Sequence, residues 1–256
     1  MKLRFLGTGT SVGIPVIGCD CKVCTSPDPR NARTRASVQI SSQDTSIIVD
    51  TPPDFRLQVL HAGIRRVDAV LFTHSHADHI FGFDDIRRFN TIQDAMIPAY
   101  APQGTIDDLK RIFDYVSAEK GDGGYRPLTE FRLIAGDFRV GDIEVAAVPV
   151  VHDQKPCHGF IFRHRGVSVG YAPDCGTMPE ASLQRFKGVD VMVLDALRYR
   201  PHRTHMTVEQ SVQVLGLIGA TRSYLTHMCH EVEHGELQLS LGRDMFVAYD
   251  GLVLEV

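Results

Sequence analysis

A layered α/β sandwich is the fold class this sequence predicts, and three observations predict it. Short β-branched and aromatic runs recur along its 256 residues. Segments with helical spacing separate the later runs, as parallel strands joined by crossovers require, whereas the early runs follow one another closely enough for antiparallel pairing. No Ser/Gly-rich linker, long charge block or short-period repeat divides the chain, so a single domain over residues 1–256 is expected.

The runs at 2–6, 37–40, 46–49, 67–72, 143–148, 160–163, 167–171, 189–194 and 252–256 read as strands. A helix is expected over 54–62, after Pro52-Pro53, and another over 179–186, which opens on Pro179. Residues 207–218 combine a Thr207-x-Glu209 start signal with Val208, Val212 and Leu215 on one face. Residues 104–116 form a fourth candidate helix, weakened by its Gly-Thr opening.

Composition excludes several classes. Apolar residues make up 43% and charged residues 23%, which rules out a largely disordered or fibrous chain. With 27 Lys and Arg against 31 Asp and Glu, the net charge of −4 lacks the basic footprint that wraps nucleic acid. No apolar run approaches the ~18 residues of a membrane span. The start, Met1-Lys2-Leu3-Arg4, has no apolar secretory core, so a cytoplasmic location with reduced cysteines is expected. A homodimer is compatible with the sequence. The count that stands out is twelve histidines beside no tryptophan.

Residues 67–72 run straight into Thr73-His74-Ser75-His76-Ala77-Asp78-His79. Three histidines and a carboxylate at a strand end suit a core badly, because each buried imidazole needs a partner. They suit a metal centre: His74 and His76, two apart in an extended segment, can share one ion, and Asp78 and His79 can reach a second. A solvated His-rich loop is the bland alternative. Later strand ends offer His152, Asp174 and His227, the last in a Thr226-His227 ending that repeats Thr73-His74. Residues at successive strand ends converge on one rim of a sheet. Asp50 and Asp195, also at strand ends, are candidates to orient the ligand histidines, a simple turn or cap being the alternative.

With the motif His-x-His-x-Asp-His followed by His, Asp and His, the chain resembles the metallo-β-lactamase fold superfamily over essentially its whole length. The resemblance implies a four-layer αββα sandwich and two divalent cations, Zn²⁺ or Mn²⁺. One would be held by His74, His76 and His152, the other by Asp78, His79 and His227, with Asp174 bridging. Such a pair lowers the pKa of a shared water from 15.7 toward about 7, making a bridging hydroxide available as nucleophile.

Two further marks point to a branch. Cys19-Asp20-Cys21-Lys22-Val23-Cys24 supplies three thiolates for a tetrahedral structural Zn²⁺ that lacks one ligand. His230 is the preferred fourth, with Cys229 and His234 as competitors. The loop Arg198-Tyr199-Arg200-Pro201-His202-Arg203-Thr204-His205 sets Arg200 and Arg203 as candidate phosphate contacts, a solvated loop being the equal alternative. The chain is similar, most strongly at 5–24, 70–82 and 198–230, to the phosphoribosyl cyclic phosphodiesterases and their relatives. That similarity implies a hydrolase of small, including cyclic, phosphodiesters, with Asp78 at the metal centre and His205 as general acid. Thioesterase or lactonase chemistry is the enzymatic rival, and a non-catalytic carrier of a cofactor-pathway intermediate is the other.

Overall fold

A computed structural model of the chain describes residues 1–116, 126–154 and 156–256. Strands β1 (Lys2–Gly7), β2 (Ser37–Ser41), β3 (Ser46–Val49), β4 (Ala69–Leu71), β5 (Ala99–Ala101) and β6 (Phe131–Leu133) lie side by side in one sheet. Strands β7 (Phe138–Val140), β8 (Ile143–Val150), β9 (Cys157–His164), β10 (Val167–Ala172), β11 (Val191–Asp195), β12 (Arg222–Thr226) and β13 (Met245–Val247) form the second. The last strand, β14 (Val253–Glu255), returns to the first sheet and pairs with β1. Helices α1 (Phe55–Ala62), α2 (Ala77–Ile80), α3 (Ile86–Gln93), α4 (Gln103–Ile112), α5 (Glu180–Phe186), α6 (Val208–Ile218) and α7 (His234–Ser240) connect them.

Side-chain alternation explains the layering. On β3, Ile47 and Val49 point into a core shared by both sheets, with Leu3, Val38, Phe160, Phe162 and Val193. Ile48, between them, faces the other way, into a core with Phe55, Ile86, Phe89 and Leu109 from α1, α3 and α4. The second sheet does the same, its outer face packing Met192 and Leu194 against Phe186, Leu215 and Leu237 of α5, α6 and α7. Strands buried on both faces need apolar residues at every position, which is why 46–49 and 191–194 carry near-continuous apolar runs. The result is the four-layer αββα sandwich.

Pairing divides as the spacing suggests. Strands β1, β2 and β3 are antiparallel, and β3, β4, β5 and β6 then run parallel. In the second sheet, β7 to β10 pair antiparallel and β10 to β13 parallel. The strands β5, β6, β7 and β13, three residues each, escaped sequence reading because three residues cannot display a period of two. Helices α2, α3 and α7 also escaped it; α3 buries only Ile86, Phe89 and Asn90 of its eight residues. The expected strand at 67–72 is trimmed to Ala69–Leu71, and the helix expected to run to 116 ends at Ile112. Helix α6 is opened by Thr207, whose hydroxyl accepts from the Gln210 amide while the Gln210 side chain accepts from the Thr207 amide. The start signal is thus completed by Gln210, at the position a reciprocal cap requires, and not by Glu209.

No helix among the described residues is long and apolar enough to cross a membrane.

Just beyond the histidine cluster, Gly82 donates its amide to the Thr51 carbonyl at 2.9 Å. A Cβ there would collide with the Pro52 carbonyl oxygen and stand 2.8 Å from Phe55 Cβ. Gly82→Ala is therefore expected to destabilise the fold by about 1–3 kcal/mol, as overpacking does. A denaturation midpoint lowered at unchanged m-value checks it.

Candidate metal centre

The strand ends of both sheets meet at one rim. Residue Asp50 follows β3, Thr73 and His74 follow β4, His152 follows β8, Asp174 follows β10, Asp195 ends β11 and His227 follows β12. Asp50 and His227 adopt left-handed backbone, with φ of 62° and 58°. Non-glycine residues held there cost of order 1–3 kcal/mol each, a strain found where a site over-determines the chain.

Two trios of donors form at this rim. In the first, His74 Nε2 lies 2.9 Å and His152 Nε2 3.2 Å from His76 Nδ1. In the second, His79 Nε2 lies 3.3 Å and His227 Nε2 3.8 Å from Asp78 Oδ2. Asp174 stands between them, with Oδ2 3.2 Å from His79 Nε2, and Oδ1 3.4 Å from His227 Nε2 and 3.7 Å from His152 Nε2.

Hydrogen bonds on the far side of three rings, those of His74, His79 and His152, aim them. Asp50 accepts from His79 Nδ1 at 2.8 Å and from the Thr73 amide and hydroxyl at 2.9 and 2.8 Å. The Thr204 carbonyl takes the Nδ1–H of His152 at 2.8 Å, and Thr73 Oγ1 lies 2.9 Å from His74 Nδ1. Ser75, between two of the histidines, donates to Asp108 on α4 at 2.6 Å. These partners set the tautomers of His74, His79 and His152 and turn their Nε2 atoms toward the rim. Asp195 differs from its expected role. Its Oδ2 accepts from His205 Nδ1 at 2.8 Å and from the Cys175 amide at 3.1 Å, while His227 Nδ1 stays 3.9 Å from Oδ1, beyond hydrogen-bond range. The loop after β11 folds back over that strand end, Leu197 and Met206 pairing through a 3.1 Å backbone bond, and this brings His205 to Asp195 first.

The donor set fits a pair of cations. His79 Nε2, Asp174 Oδ2 and His227 Nε2 are buried without a hydrogen-bond partner. Each such group would cost about 1–3 kcal/mol if nothing answered it. Burial holds His74, His76 and His152 below the ordinary imidazole pKa, so they are neutral and able to ligate. Burial also opposes charge on His79, but the carboxylates of Asp174, Asp78 and Asp50 outweigh it and hold that pKa well above the ordinary value. A surplus of negative potential at the second trio is what a divalent ion would relieve.

The second cluster is built from the N-terminal loop. His230 Nδ1 lies 3.2, 3.5 and 3.7 Å from the Sγ atoms of Cys19, Cys21 and Cys24. The Cys24 amide, donating to Cys21 Sγ, draws the Cys21 pKa down to about 6, so thiolate is available for ligation. His230 is the residue that closes this ring of thiols. Cys229 instead accepts from the Glu231 amide at 3.4 Å, and His234 packs its ring on Tyr249.

A cavity of about 360 Å³ opens over the rim, lined by His76, Asp78, His152, Asp174, His205 and His227, with Ser11, Asp153, His202, Arg203 and Thr204 at its mouth. Arg203 reaches Asp153 at 3.3 Å, whereas Arg200 lies outside the cavity and pairs with Glu231 at 2.8 Å. Sequence reading missed Thr73, Thr204, Ser11 and Asp153; the repeated Thr-His ending was the one available signal for Thr73.

An αββα sandwich with paired His and Asp trios at its strand ends is a metallo-hydrolase fold. Residues 45–228 match the Beta-lactamase superfamily domain, and the chain belongs to that superfamily, with the metallo-β-lactamase fold. A crystal structure of a diphosphatase from the PhnP family is 37% identical, with a TM-score of 0.91 over 100% of this chain and 97% of that one. Zn²⁺-bound PqqB from Methylobacterium extorquens is 20% identical with a TM-score of 0.81 over 100% of each chain, a likeness of fold. An octanoyltransferase of Porphyromonas gingivalis is 34% identical over 98% of this chain and 51% of its own length, so the chain spans about half of that relative.

Because Asp50 alone aims His79, Asp50→Ala is expected to weaken cation uptake at the second trio about 10–100-fold. Calorimetric titration of metal-free protein measures it.

Proposed function

We propose that the chain is a metal-dependent hydrolase of small phosphodiesters. His74, His76 and His152 would hold one divalent cation, Asp78, His79 and His227 a second, and Asp174 would be shared between them. Nitrogen and oxygen donors of this kind suit Zn²⁺ or Mn²⁺, and the Cys19, Cys21, Cys24 and His230 set suits a structural Zn²⁺. Bound at the rim, the two cations would supply Lewis acidity, acidifying water and neutralising charge on a phosphoryl oxygen.

The observation that carries the reading is the His205–Asp195 pair. With Nδ1 bonded to Asp195 at 2.8 Å, His205 turns Nε2 toward the rim, 3.9 Å from Asp174 Oδ1. Its ring stacks on His227 at 4.7 Å and meets His152 edge-on at 4.6 Å, so its position is held on both sides. Burial holds the His205 pKa below the ordinary imidazole value, so the ring rests as the Nδ1–H tautomer bonded to Asp195; once a proton is taken up at Nε2, giving it to a leaving oxygen returns the ring to that same tautomer. An alkoxide needs that proton; a thiolate hardly does, which favours a diester over a thioester. Arg203, at the cavity and paired with Asp153 at 3.3 Å, is a cation placed to meet an anionic substrate, and the small cavity with the net charge of −4 favours a small molecule over nucleic acid.

A second reading, hydrolysis of a phosphoanhydride, is favoured by the 37% identity to the PhnP-family diphosphatase. The two readings part at His205, since phosphate departs without protonation.

A panel of cyclic and linear phosphodiesters, diphosphates, thioesters and lactones, assayed with Zn²⁺ and Mn²⁺ separately, tests the proposal. Turnover of thioesters or lactones alone would overturn it. Asp78→Ala should abolish hydrolysis. His205→Ala should slow alkyl diesters by about 10²–10⁴-fold while sparing activated aryl diesters and diphosphates. Elemental analysis should find three cations per chain, two released by a mild chelator, and Cys21→Ser should lose the retained one together with thermal stability.

A further inference from the structure

The largest side chain buried to 1% exposure or less is that of a cation, Arg33. It lies outside both clusters. Its Nη1 donates to the carbonyls of Val232 at 2.9 Å and Cys229 at 3.3 Å, and its Nη2 to Asn31 Oδ1 at 3.2 Å, while Nε has no partner. None of these acceptors is a carboxylate. A buried guanidinium hydrogen-bonded only to neutral oxygens is an expensive device, because Asp250 and Glu233 act on it through space and do not outweigh its desolvation. Burial accordingly pulls its pKa down to about 10.

What the fork grips is one turn, residues 227–234. That turn carries His227 of the second trio at one end and, three residues on, His230 of the thiol cluster. The N-terminal loop holds it from the other side. Met228 donates to the Thr8 carbonyl at 3.0 Å, and Thr10 donates to the Met228 carbonyl at 3.3 Å. Ile14 and Arg33 exchange backbone hydrogen bonds at 2.8 and 2.9 Å, so the loop leading to Cys19 is tied to the residue that grips the turn. Asn31 extends the clasp, accepting from the His234 amide at 2.8 Å and donating to Glu233 at 2.6 Å. Among the described residues the first trio has no such tie: His74, His76 and His152 come from other loops.

We propose that Arg33 is the positioning residue of the 227–234 turn and that, through it, filling the Cys19, Cys21, Cys24 and His230 cluster tightens cation binding at the trio containing His227. A cation on His230 restrains one half of the turn, and the guanidinium, bonded to carbonyls on both sides of His230, transmits that restraint to His227. Linkage then requires the reverse as well: a cation at His227 tightens the thiol cluster. The inference rests on reading both clusters as cation sites, and it is independent of which bond the enzyme hydrolyses.

Co²⁺ is a suitable probe, because thiolate ligation gives strong near-ultraviolet charge-transfer absorption and nitrogen or oxygen ligation gives visible bands alone. The metal-free 256-residue chain is titrated with Co²⁺ with and without one prior equivalent of Zn²⁺ in the thiol cluster. Prior loading is expected to tighten uptake of the rim cation held by His227 about tenfold. Arg33→Lys, which keeps the charge and loses the fork, should erase that difference, weaken the rim cation held by His227 about tenfold and leave the other rim cation unchanged. An arginine serving stability alone would lower the melting temperature without changing the ratio of the two rim affinities. Asn31→Ala removes one anchor of the guanidinium and carries the same expectation in weaker form should Arg33→Lys fail to fold. Equal affinities with and without Zn²⁺ in the parent, or linkage preserved in both variants, overturns the proposal. Failure of either cluster to take up a cation overturns the reading of the sites along with it.

Discussion

Three buried atoms, His79 Nε2, Asp174 Oδ2 and His227 Nε2, face one another at the rim with no hydrogen-bond partner. Folded chains rarely leave such groups unanswered, and much of this molecule is arranged around that demand. Asp50 and His227 hold left-handed backbone to stand there, and Asp50, Thr73 and the Thr204 carbonyl give up their own hydrogen-bonding capacity to aim imidazoles inward. The carboxylates around His79 then create an attraction for positive charge at the second trio.

The sandwich makes this affordable by separating structural duties. Two sheets share one core, and each packs its outer face on helices, so the apolar burial that stabilises the fold lies away from the rim. Strand ends are where backbone pairing stops and side chains are released into loops. Parallel strands β10, β11 and β12 deliver Asp174, Asp195 and His227 in neighbouring positions, and β3 and β4 deliver Asp50 and His74 from the facing sheet. The donor atoms therefore gather between the two halves, beneath a cavity of about 360 Å³.

His205 is held by a different logic from the rim histidines. Its carboxylate partner lies behind it, its flat neighbours lie beside it, and its free nitrogen points inward. Asp195 had been expected to steer a ligand. Its hydrogen bond to His205 instead leaves His227 aimed by backbone geometry and by the turn that follows it. That turn also bears His230, so one short segment serves both clusters and is gripped by the buried Arg33 fork.

The local motifs were legible in the linear chain because their members are near neighbours. Histidines and an aspartate within six residues, or three cysteines within six, announce ligand chemistry before any fold is known. Strands buried on both faces were legible too, since continuous apolar runs at that length have few other uses. The later His152, Asp174 and His227 could be picked out because each follows such a run. Three-residue strands carried no signal, because their pairing depends on neighbours far away in sequence. The partner of each carboxylate was likewise undetermined: Asp50 and Asp195 stand at equivalent strand ends, yet one serves His79 and the other His205. Nor did Arg33 differ, as a letter in the sequence, from any solvated arginine. The sequence by itself determined which donor atoms exist and the layered class of fold that carries them. Only the tertiary structure decided which atoms face one another, because hydrogen bonds between residues as distant in sequence as Arg33 and Val232 form only after the sheets have closed on each other.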